Sequence, residues 1–336
     1  MSDIVDLLEA LPPAITPEPV GRDLAAADVA RGHRALRQRR RRLGTLAGAG
    51  AGTVVAVAVA VALIVTSAVQ PTAPSRSAAQ APEVHSRLVS LAARITTSHG
   101  PRPGNASLEI VRETVGGKLT QVIYALFTDS GKLYLGNDKQ TLMTAVARHA
   151  NLADGADFRE VAAARYAARG DLAIARVRMI DATPNDFFLS FAARKKIWAA
   201  GAAKRRALLR AKGIKTPLKM PTGKFLRSQM NNSAWINSTD ALNWAGGDPE
   251  IRAGVLRVLS TIPEVTVADS TTGGQPTLTI TAGPDVFSGD GKEVLIVSAK
   301  TGLPVSSVVA PSGVPAAVST YRVSRVTLAS IEAGKF

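Results

Sequence analysis

Hydrophobic and polar positions change their spacing several times along the chain. From Leu46 to Ala68 run 23 residues of Ala, Gly, Val, Leu and Ile, interrupted only by Thr53, Thr66 and Ser67. A helix rising about 1.5 Å per residue crosses a hydrocarbon layer with roughly 20 apolar residues, so this pattern predicts one transmembrane helix over 43–69. A second helical stretch is expected from Glu83 to just before Gly100-Pro101. The spacing then alternates over Leu108–Val115, Leu119–Thr128 and Lys132–Leu135, with Gly116-Gly117 and Asp129-Ser130-Gly131 between them. Three antiparallel strands follow from that pattern.

Between Lys139 and Ile214 the alternation is lost, and Ala, Leu and Arg predominate, which predicts several helices. Thr183-Pro184-Asn185-Asp186 sets out a cap, a first-position proline and an acid in the order of a helix start, with Gly213 as the stop. Phe187, Phe188, Phe191, Trp198 and Leu209 would form the apolar side of that helix. Asp248-Pro249-Glu250 opens another, with Ile251, Val255, Leu256, Val258 and Leu259 facing inward up to Pro263. Five short alternating segments, from Val265 to Leu328, complete the pattern. The fold class expected is α+β: a transmembrane helix followed by an antiparallel sheet of about eight strands with inserted helices, of a half-barrel form able to enclose an apolar cavity.

Charge orients this arrangement. Arg31, Arg34, Arg37 and the run Arg39, Arg40, Arg41, Arg42 precede the apolar segment, and no charge follows it until Arg76. The excess of arginine on one flank places the N-terminus inside the cytoplasmic membrane and the C-terminal region outside. The run is also suited to anionic lipid, at about 1 kcal/mol per base near the surface. A cleaved secretory signal is the alternative reading of the same segment. Gly44, Gly48 and Gly52 recur every four residues, a stripe that allows two helices to pair closely in a homodimer. The expected organisation is a cytoplasmic tail over 1–42, the helix over 43–69, a Pro/Ser-rich stalk over 70–82, and an outer α+β domain over 83–336. In the tail, Ile4, Leu7, Leu8 and Leu11 lie at helical spacing among acids, a pattern suited to a cytoplasmic protein partner.

The basic excess is local. The chain carries a net charge of +15, and the window Arg194–Arg227 holds twelve bases and no acid. Arg194, Lys195, Lys196, Lys204, Arg205, Arg206 and Arg210 are the candidate patch for an anionic envelope ligand or membrane lipid, on an excursion spanning about 184–227. Nucleic acid is not expected on the far side of a membrane, and a solvated helical face without any ligand is the plain alternative.

The chemistry of the remaining residues is sparse. Without cysteine there are no disulfides, no thiolate metal ligands and no thiol nucleophile. His33, His85, His99 and His149 are scattered without metal-ligand spacing, so neither metal nor cofactor is expected. No nucleophile elbow or phosphate-binding loop stands in the outer region, and Asp269, Asp285 and Asp290 fall near turns, where aspartate caps backbone. No catalytic residue is assigned, and the chain is read as non-enzymatic.

The order of acidic tail, Arg39-Arg40-Arg41-Arg42, apolar segment, stalk and sheet resembles actinobacterial single-pass membrane proteins of unassigned function, loosely grouped with anti-sigma factors. The helix-strand block from Asp248 to Val265 is similar to a signature of that group. The strands around Lys300-Thr301-Gly302-Leu303-Pro304 look like the half-barrels of periplasmic lipoprotein carriers. The resemblance implies an envelope sensor or binding domain, anti-sigma-like in role, with a lipid or lipoprotein carrier and an envelope hydrolase as alternatives. The zinc-type anti-sigma domain, with its His and two Cys, has no counterpart here, so binding of a sigma factor would fall to the tail.

Overall fold

The structure, a computed structural model, describes residues 81–97, 103–211, 220–287, 292–310 and 315–336. Helix α1 (Ala81–Thr97) buries Leu88, Leu91, Ala92 and Ile95, spaced three and four apart as a helix on a core requires. Strands β1 (Ala106–Val115), β2 (Lys118–Thr128) and β3 (Leu133–Gly136) form the expected meander. Val115 pairs with Lys118, leaving Gly116 and Gly117 as a two-residue turn at φ +58° and +79°. That geometry needs left-handed backbone at both positions, which glycine adopts without steric cost.

Five helices follow in the middle of the chain: α2 (Lys139–Ala147), α3 (Gly155–Ala167), α4 (Leu172–Asp181), α5 (Phe191–Ala200) and α6 (Ala202–Ala211). After them come α7 (Gly223–Ala245) and α8 (Pro249–Leu259). Three of the starts are capped by aspartate: Asp138, Asp154 and Asp171 each accept backbone N–H groups of the first turn. Asp248 does the same for α8 ahead of Pro249, as the sequence predicts. Strands β4 (Val265–Thr272) and β5 (Gln275–Ala282), the short helix α9 (Pro284–Phe287), β6 (Lys292–Ser298), β7 (Pro304–Ala310), β8 (Ala317–Val326) and α10 (Leu328–Glu332) complete the order.

All eight strands join one antiparallel sheet in the order β3-β2-β1-β8-β7-β6-β5-β4. The first and last strands meet in its centre, in register from Ala106 opposite Val326 to Val115 opposite Ala317. Alternation then divides the side chains between two faces. On one face Ala106, Leu108, Leu126 and Tyr134 pack with Leu142 and Val146 of α2 and Ile331 of α10. On the other, Ile123, Ala125, Phe127, Val267, Ile280, Leu295 and Val297 join a larger core with α1, α3, α4, α7 and α8. Helices α3 and α8 touch so closely that a Cβ on Gly254 would lie 1.7 Å from the Ala164 carbonyl oxygen.

The sheet and its inserted helices are present, but the expected fold class is corrected in one respect, its transmembrane helix. Among the described residues no helix is long and apolar enough to cross a membrane, and the segment 43–69 on which that expectation rested lies outside them. The sheet is open, with β3 and β4 as its two edges. Within the excursion, the single helix expected from Thr183 is two helices that begin later. Thr183 is buried and bonded to Asn237, and the Asn185 side chain accepts from Phe187 N at 3.0 Å while donating to the carbonyls of Ile180 and Thr183 at 2.9 Å each. This side-chain turn competes with helix formation, and Ser190 caps α5 instead, accepting from Ala193 N at 3.2 Å.

Candidate functional site

The surface built by α5 and α6 begins with its anchorage. Asn237 of α7 donates to the Met179 carbonyl at 2.6 Å and to Thr183 Oγ1 at 3.3 Å, holding the end of α4 where the excursion leaves the body. At the far end the Arg194 Nη1 donates to the Pro221 carbonyl at 3.2 Å, tying α5 to the segment that leads into α7. Both junctions are therefore held by side chains bonded to backbone. Such bonds contribute about 1 kcal/mol each.

Between these ties, α5 is largely uncovered, and Arg194, at 8% exposure, is the one buried residue of its ten. Phe188, Leu189, Phe191 and Ile197 are exposed at 44%, 47%, 57% and 49%. Phe187, one position earlier, is partly buried against the larger core. Lys195 and Lys196 project from the same helix into solvent, and Arg206 and Arg210 stand exposed one turn apart on α6. Arg227, early in α7, is exposed as well. Among the described residues none of these five bases forms an ion pair, whereas Lys224 pairs with Asp285 at 3.3 Å.

The structure thus sorts the residues of the expected patch. Lys195, Lys196, Arg206 and Arg210 lie on the surface; Arg194 is turned inward and serves as the tie just described. Lys204 and Arg205 belong to α6, and their side chains fall outside the described residues. Arg39, Arg40, Arg41, Arg42, Gly44, Gly48 and Gly52 also lie outside them. Of the aspartates expected at turns, Asp269 is in a 2.9 Å ion pair with Arg87, and Asp285 in the pair with Lys224; Asp290 is outside the described residues. Among the described residues no group of three or more His, Asp or Glu side chains could hold a metal ion.

Behind the excursion lies α7, for which the sequence carries no expectation. Ser228, Gln229, Asn231, Asn232, Asn237, Ser238, Thr239 and Asp240 are all buried along it. Ser228 donates to the Asp285 carbonyl at 2.7 Å, and Asn231 donates to Glu264 Oε2 at 2.6 Å. Arg176 of α4 donates to Asn231 Oδ1 and, at 2.7 Å, to Thr261 Oγ1, and burial pushes its guanidinium below its ordinary range. Polar side chains of α7 are in this way bonded to three neighbouring segments, α4, the α8–β4 connection and α9, so α7 acts as the post on which the excursion is mounted.

The exposure of Leu189 and Ile197 has no signal in the sequence: Leu189 stands in an apolar run with Phe187 and Phe188, and Ile197 follows two lysines without a periodic partner. Comparison with protein-family models, with curated proteins and with solved structures finds no match to this chain. The resemblance to single-pass membrane proteins grouped with anti-sigma factors, and the looser one to lipoprotein-carrier half-barrels, is corrected accordingly: neither is supported by any match. With no membrane-crossing helix among the described residues, the single-pass topology, its N-inside orientation, and the anti-sigma-like and tethered-carrier functions built on it lose their ground.

Proposed function

We propose that this chain is a binding module that captures an anionic partner on the α5–α6 excursion. The observation that carries the reading is the set of exposed bases Lys195, Lys196, Arg206, Arg210 and Arg227, which form no ion pair among the described residues and lie within a window of the sequence that contains no acid. Bases placed for internal stability normally find carboxylates nearby, as Arg165 does with Asp248 at 3.2 Å and Arg325 with Asp129 at 2.7 Å. With the end of α4 bonded to Asn237 and α5 tied through Arg194, Lys195 and Lys196 are presented on a helix already in place, which lowers the entropic cost of capture. The same field disfavours self-association through this face, since like charges would meet.

A titration of the full chain with fluorescently labelled polyphosphate tests the reading. Affinity should fall steadily with rising salt, as screening of exposed charge requires. The variant K195E/K196E/R206E/R210E should bind at least about tenfold more weakly at low salt, each base contributing of order 1 kcal/mol. Equal affinity of the variant and the parent chain would remove the proposal.

A further inference from the structure

We infer that the anionic partner is a phospholipid layer, on whose surface α5 and the turn before it lie with their exposed aromatic and aliphatic side chains in the interface; this rests on the binding module proposed above. Charge alone would be satisfied by any polyanion. The apolar groups add a second requirement, because Phe188, Leu189, Phe191 and Ile197 are all roughly half exposed beside Lys195 and Lys196. A partner that meets both must be negative at its face and apolar just beneath. An anionic phospholipid layer has that profile, with charged headgroups at its face and hydrocarbon beneath.

Three details favour this occupant. Phe187 is packed on the core while its neighbours Phe188 and Leu189 point away, so the body has already drawn in the aromatic ring it can use. The Lys195 and Lys196 side chains have apolar stems long enough to lie along a lipid surface while their ammonium groups stay among phosphates. The tie from Arg194 to the Pro221 carbonyl keeps α5 seated, so contact needs no rearrangement of the helix. A second copy of the chain would bring another basic surface to this one, and a soluble polyanion would leave the apolar groups in water.

The chain contains its own reporter. Trp198 lies half-buried on α5, while the other two tryptophans, Trp235 and Trp244, are buried in α7 and supply a constant background. The full chain is mixed with vesicles of phosphatidylcholine, with or without phosphatidylglycerol, and tryptophan emission is followed. The expected result is a blue shift on the phosphatidylglycerol vesicles that is absent on phosphatidylcholine alone. F188S/F191S should weaken the shift at least about tenfold in lipid concentration, by loss of buried apolar area, yet bind polyphosphate and single-stranded DNA as the parent does. Because all variants are compared in the full chain, the apolar segment 46–68 contributes equally and, lacking tryptophan, adds nothing to the signal. No shift on either vesicle, or a shift unchanged in F188S/F191S, overturns the lipid assignment. Polyphosphate binding that still depends on the four bases would then leave the anionic-partner reading standing, whereas its loss would remove both. Stronger binding of DNA than of vesicles also overturns the lipid assignment.

Discussion

Helices α7 and α5 both lack an apolar stripe, yet 15 of the 23 residues of α7 are buried, and one of the ten residues of α5. The difference lies in where the polar atoms find partners. In α7 short amides and hydroxyls, those of Ser228, Asn231 and Asn237, reach backbone carbonyls and side chains on surrounding segments, so a helix rich in polar residues can occupy the interior, although Asn232 Nδ2 and Ser238 Oγ are buried with no hydrogen-bond partner among the described residues. In α5 the polar groups are long and cationic, and the one guanidinium taken inward, that of Arg194, is bonded to a carbonyl. Polarity alone therefore does not place a helix at the surface. The reach and charge of its side chains do.

The contrast breaks most severely at Trp235, which is fully buried in α7. Trp235→Ala should cost about 3–5 kcal/mol in urea unfolding, whereas Phe191→Ala on the exposed helix should stay within about 0.5 kcal/mol. Comparable losses from the two would mean that α5 is packed as α7 is. Asn237→Ala comes next. It removes the donor that serves the Met179 carbonyl at 2.6 Å inside the core and should cost about 2 kcal/mol by the same measurement. A smaller cost, near that of a surface substitution, would show that α7 does not hold the base of the excursion.

Arg252 sharpens the interior half of the comparison. It donates to the carbonyls of Thr301, Gly246 and Gly247, yet burial holds its guanidinium down at about 10; Asp248 pulls it up, and the Arg325 charge pushes it down. From about pH 10 up to the ordinary arginine range, the unfolded chain binds this proton more readily than the folded one, so the group's contribution to stability rises with pH in that window. Relative to Arg252→Met, the parent chain should gain roughly 1 kcal/mol between about pH 9 and pH 11. An unchanging difference would contradict the burial of the charge. The smallest effect distinguishes two neighbours: Arg194→Ala should destabilise by about 1 kcal/mol and Lys195→Ala by almost nothing. The opposite order would show Lys195 to be the tie.

What could be read in the sequence follows from how local the determining physics is. The Gly116-Gly117 turn, the alternating strands on either side of it and the Asp248-Pro249 start of α8 depend on a few adjacent residues, and the structure has them where the pattern put them. Helix α7 has no such signature, because Asn231, Asn237 and Ser228 owe their burial to partners 33 to 58 positions away along the chain. Thr183-Pro184-Asn185-Asp186 carries the signal of a helix start but closes on itself through Asn185, an outcome that depends on Asn237 occupying the hydroxyl of the supposed cap. At the candidate surface the basic composition was visible, but the inward turn of Arg194 and the exposure of Phe188 and Phe191 were not, since both depend on which side of α5 meets the body.

The pairing of β1 with β8 has a consequence for how the chain comes into being. Leu108 lies opposite Ser324, so the central ladder cannot close until more than two hundred further residues have left the ribosome. Until then the nascent molecule holds an unfinished β1-β2-β3 meander whose inner edge is open to strand addition, the kind of edge on which chains aggregate. Removing the final strand would therefore open the middle of the sheet, where losing β4 would trim only its margin, and folding dominated by such distant partners is expected to be slow.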